Sequence, residues 1–207
     1  IIFATITPDY YFPGCAVMVQ EKLCPDRYVA ALDIRNQCSA FVYATSVADA
    51  WIRTGQYKCV LVIGGEVQTT GMDLSPEGRD VGVLFGDGAG AVLMEQCKPG
   101  ETGFKLHKLH SEGKFAESLM IEEPNCRSFP QRFKKGTMEI GRGYFPTMEG
   151  RMVFKHAVTR MCEVITEACE AAKVQISDID FVIAHQANMR INQMVLEQLK
   201  IPLDRTY

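Results

Sequence analysis

Hydrophobic residues occur along this chain in short unbroken runs separated by stretches of helical period. Ile1–Thr7 (IIFATIT), Ala30–Arg35 (AALDIR), Lys58–Gly64 (KCVLVIG) and Asp180–Ala184 (DFVIA) are runs of strand length. Runs that stay apolar, rather than alternating, mark strands buried on both faces, the condition of a parallel sheet covered by helices. Between them the period changes. Pro13–Leu23 places Ala16, Val19 and Leu23 on one helical face, and Phe41, Ala44, Ala48 and Trp51 recur at helical spacing before a stop at Gly55. Val153, Ala157, Met161, Ile165, Ala168 and Ala172 trace a stripe along Gly150–Lys173, with Arg151 and Lys155 on another face. Ile191, Val195 and Leu199 do the same for Asn188–Leu199. Strand and helix in alternation predict an α/β protein.

Two stretches break the alternation. In VGVLFGDGAGAVLMEQ, glycines at 82, 86, 88 and 90 interrupt two apolar runs and predict a tight turn between two strands. They do not form GxGxxG, and no GK[ST] follows, so a phosphate cradle is a weak reading. From Gly113 to Phe145 the chain is irregular, with several prolines and a basic cluster of Arg127, Arg132, Lys134 and Lys135. A connection of this length is more often functional than idle, although a charge run alone also fits a solvated face. The expected organisation is a first half over 1–112, an irregular excursion over 113–149 and a second half from 150 to 207. Two strand-to-helix halves about an irregular middle suggest duplication.

Composition narrows the function. A net charge of -3 excludes the strongly basic footprint of a nucleic-acid binder. The 8 cysteines show no CxxC and no zinc-ligand spacing, so they read as reduced thiols of a cytoplasmic protein. No run is long enough for a transmembrane span. The first residues lie inside an apolar run, without an initiator Met or a signal-peptide pattern, and are expected to be the interior of a longer protein.

Candidate chemistry sits at two strand exits. Cys38 follows the 30–35 run and precedes a helix, where unpaired N–H groups and the positive helix end are expected to favour a thiolate. His185 directly follows the 180–184 run, at the same kind of position in the second half. A thiol and an imidazole so placed fit nucleophilic catalysis. A cysteine packed as a small hydrophobe and a satisfied histidine fit the same pattern. His107, His110 and His156 have no partner spacing and read as structural or surface residues.

Four segments, CSAFVYATSVADAW, FGDGAGAVL, MEGRMVFKHAV and AHQANMRI, occur in this order and closely resemble the β-ketoacyl-acyl-carrier-protein synthase III family of the thiolase superfamily. With ITPDYYFPGCA near the start, the resemblance covers nearly the whole chain. It implies a thiolase-like fold, layered αβαβα with two duplicated halves and incomplete at both ends. It further implies a Cys-His-Asn site in which Cys38 and His185 match the first two members and the asparagine lies beyond Tyr207. By the same resemblance Phe12 lines the acyl pocket of a partner subunit, Arg79 contacts CoA and Asn188 lies near the pantetheine channel. Lys155 and Arg190 match the patch that receives an acidic carrier protein. Two features depart from the family pattern: Ala40 where glycine is usual, and a longer stretch before Met148.

The implied reaction transfers an acyl group from acyl-CoA to Cys38 and condenses it with malonyl carrier protein as CO2 is lost, with no cofactor beyond the substrates. A homodimer in the cytoplasm, with no nucleic-acid or membrane partner, is the expected setting. Because the helix end is expected to favour the thiolate, His185 should matter chiefly for the decarboxylating step. The alternatives are a related acyltransferase with a different second substrate and a non-catalytic thiolase-fold subunit, the latter disfavoured by Cys38.

Overall fold

The computed structural model describes residues 1–125, 127 and 141–207. Of the basic cluster, Arg132, Lys134 and Lys135 lie outside them, as do one of the cysteines, Cys126, and one of the prolines, Pro130. The chain divides into two compact units, Ile1–Gln68 with Gly86–Leu109, and Thr69–Phe85 with His110–Tyr207. Residues 69–85, grouped with the first half on sequence grounds, pack within the second unit.

In the first unit β1 (Ile2–Ala4), β2 (Leu32–Ile34), β3 (Cys59–Glu66) and β4 (Gly88–Glu95) form one sheet in the order β2-β1-β3-β4. β1 pairs in parallel with both β2 and β3, so the links between them cross over through α1 (Cys15–Leu23) and α2 (Ala40–Arg53). β4 runs antiparallel to β3, with Val62 opposite Val92. The sheet is therefore mixed where the apolar runs predict a parallel one. Pairing direction is a property of the chain path, and an apolar run does not encode it.

The glycine-rich stretch also departs from the expected strand-turn-strand. Arg79–Gly82 is a short helix, α3, in the second unit, and only Gly88–Glu95 is strand. A Cβ added at Gly86, Gly88 or Gly90 would meet nothing within 4 Å, so close backbone approach does not explain these glycines.

The first core forms where Ile2, Ala4, Val60, Val62 and Met94 of the sheet meet Ala40, Ala44 and Ala48 of α2. These alanines recur every fourth residue, on one face, and their small side chains let the helix backbone lie close to the sheet. Larger groups close the margins. Trp51 and Tyr57 meet edge to face with centroids 5.2 Å apart. Phe41, predicted on the buried face, is 37% exposed. Its ring lies against β3, where a Cβ added to Gly64 would fall 3.3 Å from Phe41 Cδ2. The helix ends as predicted: the Thr54 N–H donates to the Ala50 carbonyl, and Gly55 follows with φ +74°.

α1 is capped from outside its own sequence. Asp33 on β2 accepts the Cys15 N–H at 2.6 Å through Oδ2 and the Ala16 N–H at 2.8 Å through Oδ1. A Cβ on Gly14 would fall 2.6 Å from Asp33 Oδ1, so glycine at 14 is what admits the carboxylate to the helix end. The cap ties the 8–14 loop to the sheet.

In the second unit α4 (Gly150–Ala172) packs on α5 (Met189–Leu199) through Val158, Ile191 and Val195, flanked by Phe154, Ala157, Met161, Cys162, Ile165 and Leu199. Both helices follow their predicted stripes, with Phe154 and Val158 taking inward positions. β5 (Leu119–Met120) and β6 (Thr147–Met148) form a short antiparallel pair. The run at Asp180–Ala184, expected as a buried strand, joins no ladder among the described residues. Its Val182 N–H donates to the Arg205 carbonyl at 2.8 Å, and the Thr206 hydroxyl donates to the Val182 carbonyl at 2.9 Å. Ile183 is 78% exposed. A strand exists only with a neighbour to pair with, and the run alone does not supply one.

The Asp33 cap yields a direct test. Asp33→Ala removes both acceptors from the α1 N-terminus and should cost about 1–2 kcal/mol. Urea denaturation of the intact protein should show a lower midpoint, while Asp26→Ala at an exposed turn leaves it in place. An unchanged midpoint for Asp33→Ala would mean the cap contributes nothing to stability.

Candidate active site

Cys38 is presented by a tight turn between β2 and α2. After Ile34 the chain enters a 3-10 turn, Gln37–Ser39, and α2 begins at Ala40. Gln37 has φ +47°, a left-handed conformation uncommon for a side chain of its size. A clasp holds the turn in that form. Asn36 Nδ2 donates to Ser39 Oγ at 3.0 Å, and Ser39 Oγ donates to the Asn36 carbonyl at 3.1 Å. The two contacts bracket Cys38, which is exposed at the surface of its unit.

The thiol does not have the electrostatics expected for a helix N-terminus. Although the residue is exposed, partial loss of hydration is the largest influence on the thiol and raises its pKa above the usual thiol value. Its own backbone N–H opposes the rise, and the charge of Glu66 adds to it. The helix proper starts only at Ala40, so Cys38 lies on a single 3-10 turn, whose N–H groups are fewer and less well aligned than those of an α-helix. At neutral pH the resting group is the protonated thiol. The expected thiolate is therefore corrected to a thiol that must lose its proton to react.

His185 lies between the Val182 tether and α5, exposed on its unit. Desolvation lowers its pKa below the ordinary histidine value, so the imidazole is neutral at pH 7, able to accept a proton at one nitrogen and donate from the other. Asn188 caps α5, its Oδ1 accepting the Arg190 N–H at 3.0 Å. This commits the side-chain oxygen and aims the start of α5 just after His185. Arg190 and Lys155 are both exposed, on two helices that pack together. Arg79 opens α3 with its side chain 78% exposed and its Nε 3.8 Å from Asp80 Oδ1. Phe12 is 81% exposed and follows two further exposed aromatics, Tyr10 and Tyr11.

Cys38 and Phe12 thus belong to the first unit, and Arg79, Lys155, His185, Asn188 and Arg190 to the second. Every cysteine among the described residues is a free thiol. The other histidines have structural contacts: His156 packs on Phe115, His107 stacks on Phe104, and His110 lies 2.6 Å from Glu167. Sequence reasoning missed Glu66. Little near it in the chain marks it, because apart from Gln68 the groups it binds, Thr5 to Thr7, lie about sixty residues upstream.

Comparison with known proteins agrees with this architecture. Residues 32–113 match the family described as 3-oxoacyl-[acyl-carrier-protein (ACP)] synthase III, and residues 169–207 match the C-terminal part of the same family. The two matches together take in more than half of the chain. A relative from Ehrlichia canis, named β-ketoacyl-[acyl-carrier-protein] synthase III, is 39% identical over 99% of this chain. The chain spans 60% of that relative's length. The 3-oxoacyl-[acyl-carrier-protein] synthase III structure from Aquifex aeolicus superposes with a TM-score of 0.84 at 35% identity, over 100% of this chain and 59% of that one. The Pseudomonas aeruginosa 3-oxoacyl-(acyl carrier protein) synthase III superposes with a TM-score of 0.86 at 29% identity, over 99% of this chain and 60% of that one. The fold is thiolase-like α/β, and the chain belongs to the β-ketoacyl-[acyl-carrier-protein] synthase III family.

Proposed function

We propose that this chain carries the acyl-accepting part of a β-ketoacyl-acyl-carrier-protein synthase III, which condenses an acyl-CoA primer with malonyl carrier protein through an acyl-cysteine. The observation that carries the reading is Cys38, displayed on a clasped turn at the exit of β2, in a chain of this family. In the first half-reaction the Cys38 sulfur attacks the thioester carbonyl of acyl-CoA. The thiol proton goes to an acceptor, the tetrahedral adduct collapses, and CoA leaves and takes up a proton. In the second, malonyl carrier protein loses CO2. The enolate so formed attacks the acyl-cysteine carbonyl, and Cys38 leaves as the new carbon-carbon bond is completed.

A raised thiol pKa makes the proton acceptor essential to the first half-reaction, and we assign that role to His185. A neutral imidazole suits it, and the same group donates a hydrogen bond to the developing enolate in the second. Arg79, the exposed cation of α3, serves the CoA phosphates, and Asn188 lies along the pantetheine arm. The exposed aromatic loop ending in Phe12 supports a homodimer in which Phe12 enters the partner's acyl pocket. Free thiols support a cytoplasmic setting. The substrates themselves supply the chemistry, with no further cofactor.

The test follows the two half-reactions separately in the intact protein with labelled substrates. His185→Ala should slow acyl transfer to Cys38 at neutral pH, and raising the pH should restore it as the thiol ionises without help. Decarboxylation should fall by about a hundred- to a thousandfold and stay low at every pH. Acyl transfer at the wild-type rate in neutral buffer would remove His185 from the first step.

Lys155 and Arg190 dock the acidic carrier protein in this reading. Exposed charges act mainly on encounter and are screened by salt. Replacing both with Glu should weaken turnover with the carrier-protein substrate and leave loading from acyl-CoA intact. Equal loss of both activities would make them structural residues of the helix pair.

A further inference from the structure

Glu66, the last residue of β3, is bound from the loop that follows β1. Its Oε1 accepts the Ile6 N–H at 3.0 Å, while Oε2 accepts the Thr7 hydroxyl at 2.6 Å and the Thr5 hydroxyl at 3.4 Å. The buried Gln68 donates its Nε2 to the same oxygen at 3.4 Å. Thr7 Oγ1 in turn accepts the Val67 N–H at 2.8 Å, and the Thr7 N–H donates to Thr5 Oγ1 at 3.0 Å. The Thr5 N–H reaches the carbonyl of Ile34, the last residue of β2, at 3.2 Å. A continuous run of hydrogen bonds therefore crosses the ends of β3, β1 and β2. It finishes at the residue from which the Cys38 turn departs.

Other ionisable groups share this neighbourhood. Asp9, Cys15, Lys22 and Asp87 line a cavity of 390 Å³ together with Glu66, and Asp33 is committed to the α1 N-terminus. The carboxylate of Glu66 acts on the Cys38 thiol in the direction that opposes ionisation.

We propose that Glu66 is a positioning residue for Cys38: its carboxylate holds the strand ends that present the thiol and sets the negative field in which that thiol reacts. The inference rests on Cys38 as acyl acceptor and deepens that reading. A negative charge at the end of β3 adds to the loss of hydration in disfavouring a free thiolate, so the nucleophile is released only as an acceptor removes its proton. The resting thiol is thereby less open to stray electrophiles.

The test is the pH dependence of Cys38 alkylation by iodoacetamide in the intact protein, with the adduct located by mass spectrometry, beside acyl transfer from acyl-CoA. Glu66→Gln keeps the shape and one acceptor oxygen but removes the charge. Its alkylation profile should move to lower pH, giving severalfold faster modification of Cys38 at neutral pH. Glu66→Asp, which keeps the charge, should restore the profile toward wild type. Thr7→Val severs the shortest bond to the carboxylate and leaves the charge, so it should slow acyl transfer severalfold without moving the profile. An unchanged profile in folded Glu66→Gln overturns the electrostatic role, and wild-type acyl transfer in Thr7→Val overturns the positioning role. Should Glu66→Gln not fold, the Thr7→Val comparison decides. If the Glu66→Gln profile moves but wild-type Cys38 takes no acyl group, the acyl-acceptor reading fails while the influence of Glu66 on the thiol stands.

Discussion

The close approach of α2 to the sheet is the constraint on which the rest of the first unit depends. Ala40, Ala44 and Ala48 present only methyl groups to Ile2, Ala4, Val60 and Val62, so the helix backbone is held near the strands along its length. A helix so fixed at its first residue also fixes the turn that feeds it. Asn36 and Ser39 close that turn, and the left-handed Gln37 between them sends the chain from the strand level up to the helix within a few residues. Cys38 therefore inherits its position from core packing, and the clasp only sharpens it. Replacing any of the three alanines with a larger residue would lift the helix and move the thiol with it.

The same neighbourhood explains why the thiol is a weaker acid than its place before a helix suggests. Loss of hydration around the sulfur penalises the ion although Cys38 is exposed, and the carboxylate of Glu66 adds a charge of the wrong sign for a thiolate. The local N–H works the other way and loses. For a thiol, dehydration penalises the ion directly, whereas a 3-10 turn supplies few aligned donors.

What could be read from the chain divides along the range of the interaction concerned. α2, α4 and α5 were legible because helical period is local, and Gly55 marked its helix end through its own backbone preference. Cys38 and His185 stood out by their positions after apolar runs. The buried face of α2 was read correctly at Ala44, Ala48 and Trp51, but its first turn was assigned to Phe41 where Ala40 lies in the core, because alanine counts weakly as a hydrophobe although close packing prefers it. The antiparallel β4 and the 180–184 run, which joins no ladder among the described residues, were misread because a strand depends on a neighbour that the run does not contain. The acidity of Cys38 and the hub at Glu66 were hidden for the same reason: both arise from groups brought together across distant parts of the sequence.

The account stands on Cys38 as the group that takes the acyl chain. Incubating the intact protein with a labelled short acyl-CoA, stopping the reaction in acid and mapping the adduct by peptide mass spectrometry addresses it directly. The account predicts one acyl group per site, on Cys38, formed in the absence of malonyl carrier protein and discharged when that substrate is added. Label on another cysteine with Cys38 unmodified would contradict it.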